Sequence, residues 1–227
     1  MLELMIDLTL DVETALSVGA GSSSGILADK AIVRNRLNQL VLPGSHLKGR
    51  LRHACEIIAR NAGHWVCDSP RAETMCPQYA APGQVEGADP VLGPCPICQL
   101  FGSPAYTSPL AFADLVSTEP VPIPSIRPGA SVNRRRRVVE DQRLFFIETS
   151  PPGAWVHFHN PQAIHGWLPD PAAEAQTKLL LAGLNFLQNW GGGKSRGLGW
   201  GRVTVQAALD DRRITTDNLA AAIGGLR

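Results

Sequence analysis

The sequence holds no apolar run of the ~18 residues that a membrane-spanning helix needs, so no span is expected. Its first residues, MLELMIDLTLDVET, carry acids and no basic stretch. No secretory signal is therefore expected, and the expected compartment is the cytoplasm. An excess of one charge is also missing, since 21 Lys and Arg face 20 Asp and Glu for a net +1. That excludes a generally basic nucleic-acid coat. It leaves room for a local basic groove, because binding follows where charge sits as well as its sum. No internal repeat of fixed period is present.

The 227 residues are 44 % hydrophobic and 18 % charged, the composition of a folded chain rather than a disordered one. Glycine (22) and proline (18) together make about 18 % of the chain against a usual ~12 %, so turns and long loops are expected and an all-helical bundle is not. Residues 2 to 12 alternate, with Leu2, Leu4, Ile6, Leu8, Leu10 and Val12 on one side and Glu3, Asp7, Thr9 and Asp11 on the other. That period of two predicts a half-buried strand. GAGSSSG (19–25) reads as a flexible loop. A helix follows Pro43-Gly44, with Ser45 as its expected N-cap and Leu47, Leu51, Ala54, Cys55 and Ile58 as its apolar stripe. Leu110–Leu115 reads as a return to the core. Segments 144–149 and 154–159 read as two strands of a hairpin joined by Ser150-Pro151-Pro152-Gly153. A second helix is predicted over 172–188, a strand over 202–209 and a short helix over 216–224. The order strand, helix, strands, helix, glycine-rich loop, strand outlines an α+β, ferredoxin-like single domain with large insertions.

Five cysteines in a chain with no expected export signal point to metal or thiol chemistry rather than disulfides. Four fall between positions 67 and 98. Eight residues separate Cys67 from Cys76, eighteen separate Cys76 from Cys95, and Cys95-Pro96-Ile97-Cys98 is a C-x-x-C knuckle. Residues 64 to 94 lack periodicity, and a loop this long needs a staple. Four thiolates closing a structural Zn²⁺ site would supply one, with His64 as an alternative ligand. A thioredoxin-type redox motif would need a βαβ context that this segment lacks. Cys55 lies on a helical apolar stripe and reads as core.

GGGKSRGLGWG (191–201) invites a nucleotide-binding reading. A P-loop would need Gly at position 188, where Gln stands, and a dinucleotide fingerprint would lie between a strand and a helix, not after a helix. What survives is a backbone-amide cradle with Lys194, Ser195 and Arg196 for a sugar-phosphate chain. Arg134 to Arg137 form a basic run on proline-rich flanks, suited to phosphates and bases. Lys48 and Arg52 are four apart on the first helix, whose N-terminus attracts phosphate.

LPGSHLKGRLR (42–52), CPICQLFGSP (95–104) followed by LAFADL, and GGGKSRGLGWGRV (191–203) together resemble the RAMP family of CRISPR-associated proteins, above all the backbone subunit of type III effector complexes. RRRRVVEDQRLFFIETSPPGAWVHFH (134–159) resembles the family's thumb hairpin and the strands after it. The resemblance spans nearly the whole chain.

It implies an RRM-like palm with a zinc-binding lid (about 64–104) and a thumb insertion (about 118–143). It also implies copies stacked on a guide RNA, other effector subunits as partners, and cleavage of complementary single-stranded target RNA at regular intervals. By the same resemblance Asp29 serves cleavage, in which the target's 2′-OH attacks the neighbouring phosphate, assisted by Mg²⁺ or another divalent cation. Ser45, Lys48, Arg52, Lys194, Ser195 and Arg196 would contact the guide, and Arg134 and Arg136 would reach RNA from the thumb. Cys67, Cys76, Cys95 and Cys98 would hold zinc. Three other readings stay open: a non-catalytic guide-binding or capping paralogue, a guide-processing endonuclease, and a zinc-stabilised protein-interaction domain.

Overall fold

A computed structural model describes residues 1–19, 28–69, 71, 74–76, 93–121 and 123–215. The expected short helix at 216–224 and most of the 19–25 loop lie outside them.

The alternation of residues 2–12 becomes β1 (Leu2–Val12), the central strand. Leu4, Ile6, Leu8, Leu10 and Val12 are fully buried, and the intervening residues line the open face. The other strands of the main sheet are β2 (Gln39–Leu42), β3 (Leu110–Phe112), β4 (Leu115–Pro120), β7 (Val156–Leu168), β8 (Gly201–Leu209) and β9 (Arg212–Ile214). They lie in the order β2-β4-β7-β1-β8-β9, with β3 also on β7, and every pairing is antiparallel. Two long helices, α1 (Gly44–Asn61) and α3 (Asp170–Phe186), share one apolar cluster with the buried face. They meet at Gly183, where a Cβ would stand 2.7 Å from both Cys55 Sγ and a Leu51 methyl. A side chain there would force the helices apart. The open face carries two cross-strand pairs, Asp7 Oδ1 with His159 Nε2 at 3.1 Å and Asp11 Oδ1 with His157 Nδ1 at 2.6 Å.

Four expectations are corrected. The segments 144–149 and 154–159 do not form a hairpin with each other. The first belongs to β6 (Val138–Thr149), which pairs with β5 (Ser125–Asn133) in a separate two-stranded ribbon, and the second opens β7 in the main sheet. The cause is the corner between them. Ser150 is fully buried, its Oγ accepts from Leu16 N and its N–H donates to Leu16 O, both at 2.8 Å, so the chain is turned aside there. Ser45 is not the helix cap: α1 begins at Gly44 after Pro43, and the Gly44 N–H donates to Asp114 Oδ1 at 2.7 Å. The cap is supplied from the turn between β3 and β4, where the expected single segment 110–115 divides. The second helix runs 170–186 rather than 172–188, because Pro171 is accommodated in its first turn.

Candidate nucleic-acid interface and metal centre

Among the described residues between 67 and 98, sulfur is the organising feature. The Sγ atoms of Cys67, Cys76, Cys95 and Cys98 all lie within 4.8 Å of one another, and all four residues are buried. Cys67 and Cys98 are 3.4 Å apart and Cys95 and Cys67 3.7 Å. Zn–S bonds of about 2.3 Å in a tetrahedron put sulfurs about 3.8 Å apart, so the cluster has the size a zinc ion requires. The four-sulfur set is complete without His64, the alternative ligand. Cys95 and Cys98 come from the knuckle that opens α2 (Pro96–Phe101). Hydrogen bonding with Cys98 draws the Cys95 thiol down, and the same contact drives Cys98 up. A metal-bound cysteine is a thiolate, so a dication here would displace the remaining thiol protons. Cys55 lies apart from the cluster, buried against α3, and burial pushes its thiol up.

Arg52 joins the lid to α1. Its Nε donates to Glu56 Oε1 at 3.0 Å, Nη1 to Gly102 O at 2.8 Å and Nη2 to Cys98 Sγ at 3.5 Å. Glu56 is itself buried and accepts from Ser69 Oγ at 2.7 Å. The guanidinium is thus committed to the lid, and the structure does not bring it to the glycine-rich loop. Lys48, one turn earlier, sits 5.6 Å from the centre of the Phe112 ring.

The loop after α3 has its own geometry. Lys194–Arg196 form one 3-10 turn between Gly193 and Gly197, both left-handed with φ of 74° and 77°. Gly199 permits the close crossing beneath it, since a Cβ there would meet the Trp190 carbonyl oxygen at 1.8 Å. Lys194, Ser195 and Arg196 all face solvent. Ser45, His46, Gly191 and Gly192 border one open recess of about 460 Å³, so the helix N-terminus and the loop do meet. The link is specific: Gly191 N–H donates to His46 Nε2 at 3.1 Å, which needs a neutral imidazole.

Burial, and then the nearby Arg50, lower the His46 pKa below its ordinary 6.5. The folded value lies under the unfolded one, so this contribution to stability is complete above pH 6.5 and is lost as the pH falls through the lowered value. His46→Gln keeps an acceptor and removes the titration. The parent's melting temperature is expected to fall relative to that variant's as the pH drops from 6.5 towards about 5, as followed by circular dichroism.

Asp29 hangs from the ribbon. Its backbone N–H donates to Phe146 O at 3.0 Å and its Oδ2 accepts from Phe146 N at 2.7 Å, while the residue stays exposed. The Arg196 guanidinium lies 5.5 Å from the centre of the Phe145 ring. Asp29 and Arg196, 167 positions apart, therefore contact consecutive residues of β6. Arg134 and Arg136 lie elsewhere, in the exposed turn at the ribbon tip that Asn133 Oδ1 holds by accepting from Arg135 N and Arg136 N. At ~3.3 Å per residue the tip is roughly 25 Å from Phe145.

A family model described as the RAMP superfamily matches residues 9–204. The chain belongs to the RAMP superfamily. It is a CRISPR-associated RAMP protein, and members of this family generally bind CRISPR RNA and act in complexes. No curated protein sequence matches it. Among the described residues of this RAMP protein no helix is long and apolar enough to cross a membrane. His46, Arg50 and His53, to which sequence reasoning assigned no site role, follow one another at i, i+4 and i+7 and form the face of α1 turned to the loop, a spacing legible in the sequence.

Proposed function

We propose that this RAMP protein is a guide-RNA-binding backbone subunit of a type III CRISPR effector complex, stacked with copies of itself and other subunits, and that it cleaves complementary target RNA through Asp29. The main-sheet order β8-β1-β7-β4 with α1 and α3 on one face supports a ferredoxin-like palm. The β5–β6 ribbon, projecting between β4 and β7, supports the thumb. Ser45, Lys48, Lys194, Ser195 and Arg196 supply guide contacts, with Arg134 and Arg136 on the thumb tip, and Arg52 contributes by holding the lid against α1. Cys67, Cys76, Cys95 and Cys98 hold a structural Zn²⁺. A divalent cation such as Mg²⁺ would supply charge neutralisation at the scissile phosphate.

One observation carries the reading: Asp29 and Arg196 meet on neighbouring residues of β6, where the ribbon leaves the body. With the guide lying on the glycine-rich loop, the target strand paired to it would run past an exposed carboxylate, held at a fixed place by the Phe146 backbone. There the target's 2′-OH would lose its proton to Asp29 and attack the adjacent phosphorus, forming a cyclic phosphate and breaking the bond to the 5′-oxygen, which takes a proton from water to leave as a hydroxyl. A second reading, a guide-binding paralogue that does not cut, is favoured by the hydrogen bond that already occupies Asp29 Oδ2.

The binding claim is tested with a fluorescein-labelled single-stranded RNA and the purified chain. Affinity is expected to fall linearly on a log–log salt plot, with a slope of about −0.7 per phosphate contact. Lys194→Ala with Arg196→Ala should flatten the slope by about 1.4. Absence of binding at low salt, or an unaltered slope in the double variant, would refute the reading.

A further inference from the structure

We propose that a second recess, on the far flank of the glycine-rich loop, is a phosphate seat that takes a backbone phosphate of the RNA strand beyond the one at the α1 N-terminus. The inference rests on the RNA-binding reading above and adds residues that the resemblance did not supply. The recess, about 390 Å³, lies between α1 and the C-terminal end of α3, bordered by Arg50, His53, Phe186, Asn189 and Lys194.

Its chemistry is one-sided. Arg50, His53 and Lys194 bring positive or protonatable nitrogen, and no carboxylate lines the space. Arg50 is already aimed, because its Nη2 donates to Asn189 O at 2.9 Å. Its Nε and the Asn189 Nδ2 are buried without a hydrogen-bond partner, and both are donors. Buried donors normally find acceptors. An anion with several oxygens in the recess would be drawn by the exposed Lys194 ammonium and the Arg50 guanidinium, and a rotamer change would turn the two buried donors outward to reach it with charge-assisted hydrogen bonds.

Two further features select a nucleotide phosphate over a small carboxylate. Phe186, on the rim, is 54 % exposed, a stacking platform for a base next to the phosphate. Lys194 follows directly on Gly191-Gly192-Gly193, whose first two members border the recess at Ser45 and His46. A strand crossing the loop would thus reach both recesses. Along α1 the stripe from His46 to His53 spans about 10 Å, so successive phosphates can each meet a side chain.

The probe is the same labelled single-stranded RNA, titrated into the full chain over a salt series. Arg50→Gln should weaken binding about tenfold, the effect of one charge-assisted hydrogen bond, and flatten the salt slope by about 0.7. Because Arg50 also holds the Asn189 carbonyl, two gentler variants accompany it. Asn189→Asp is isosteric and keeps that carbonyl. His53→Glu changes a side chain that is 67 % exposed. Each sets a negative charge in the recess, and each should weaken RNA binding about tenfold, read well below its melting temperature because His53→Glu sets a carboxylate near the buried Glu56. If the parent binds RNA and the folded Asn189→Asp and His53→Glu variants match its affinity, the recess is not a phosphate seat and the proposal is overturned, while the RNA reading stands. If the parent itself ignores RNA, the RNA reading falls and this inference with it.

Discussion

Stripping the metal from the purified chain is expected to lower its melting temperature by roughly 8–16 °C, the shift produced by losing ~4 kcal/mol in a chain of this size. Structural zinc supplies ~10–16 kcal/mol of apparent binding energy in small fingers. Part of it would go into ordering the chain around the four cysteines. The four sulfurs are buried and close. Hydrogen bonding between them draws Cys95 down and drives Cys98 up, so these two thiols differ in how readily they yield a proton to a cation. The loss would not stay local, because Cys98 Sγ receives Arg52, which also holds Glu56 and the Gly102 carbonyl. One equivalent of zinc by elemental analysis, and a Cys95→Ser variant that lacks it and melts early, are the expected results. A chelated chain that melts with the parent would remove the metal centre from this account.

The second large effect falls on cutting. Asp29→Ala is expected to slow target cleavage by the assembled complex about 10²–10⁴-fold, the range of a positioned acid–base group, with guide binding unchanged. Alanine also deletes the hydrogen bond to Phe146 N, so it cannot by itself tell chemistry from positioning. Asp29→Asn separates them: an amide oxygen still accepts that N–H, but the negative charge is gone. Equal loss in both variants assigns the rate to the charge. Full activity in Asp29→Asn with loss in Asp29→Ala would reduce the residue to a pin for the ribbon. A parent complex that leaves target RNA whole would favour the paralogue that only binds.

What could be read in advance was what local pattern determines. The period of β1 announced both its faces, and residues 2–12 are the strand as built. The cysteine spacing announced a four-sulfur cluster, and the sulfurs meet. What escaped was fixed by distant partners. Nothing near Gly44 says that Asp114, seventy residues on, would cap α1. Pro151-Pro152-Gly153 looks like a hairpin turn until Ser150 is found locked to Leu16. Pro128 and Gly129 disguise β5, yet the glycine is what lets Phe145 lie across it, since a Cβ there would meet that ring at 2.4 Å. In the site, helical spacing placed Lys48 and Arg52 together, but the lid's carbonyl and sulfur claimed Arg52. The face toward the loop passed to His46, Arg50 and His53.

The attachment of Asp29 at the root of β6, rather than near Arg134–Arg137, separates two measurements that a projecting arm could otherwise confuse. In the proposed stack, how far the arm would reach toward the next copy depends on the number of residue pairs between Val138 and Phe145. Where the acid stands relative to Arg196 does not depend on that number. On the proposed function, arms could therefore lengthen or shorten over evolution, altering the spacing of the assembly, while the distance from Asp29 to the bond it would cut stayed the same.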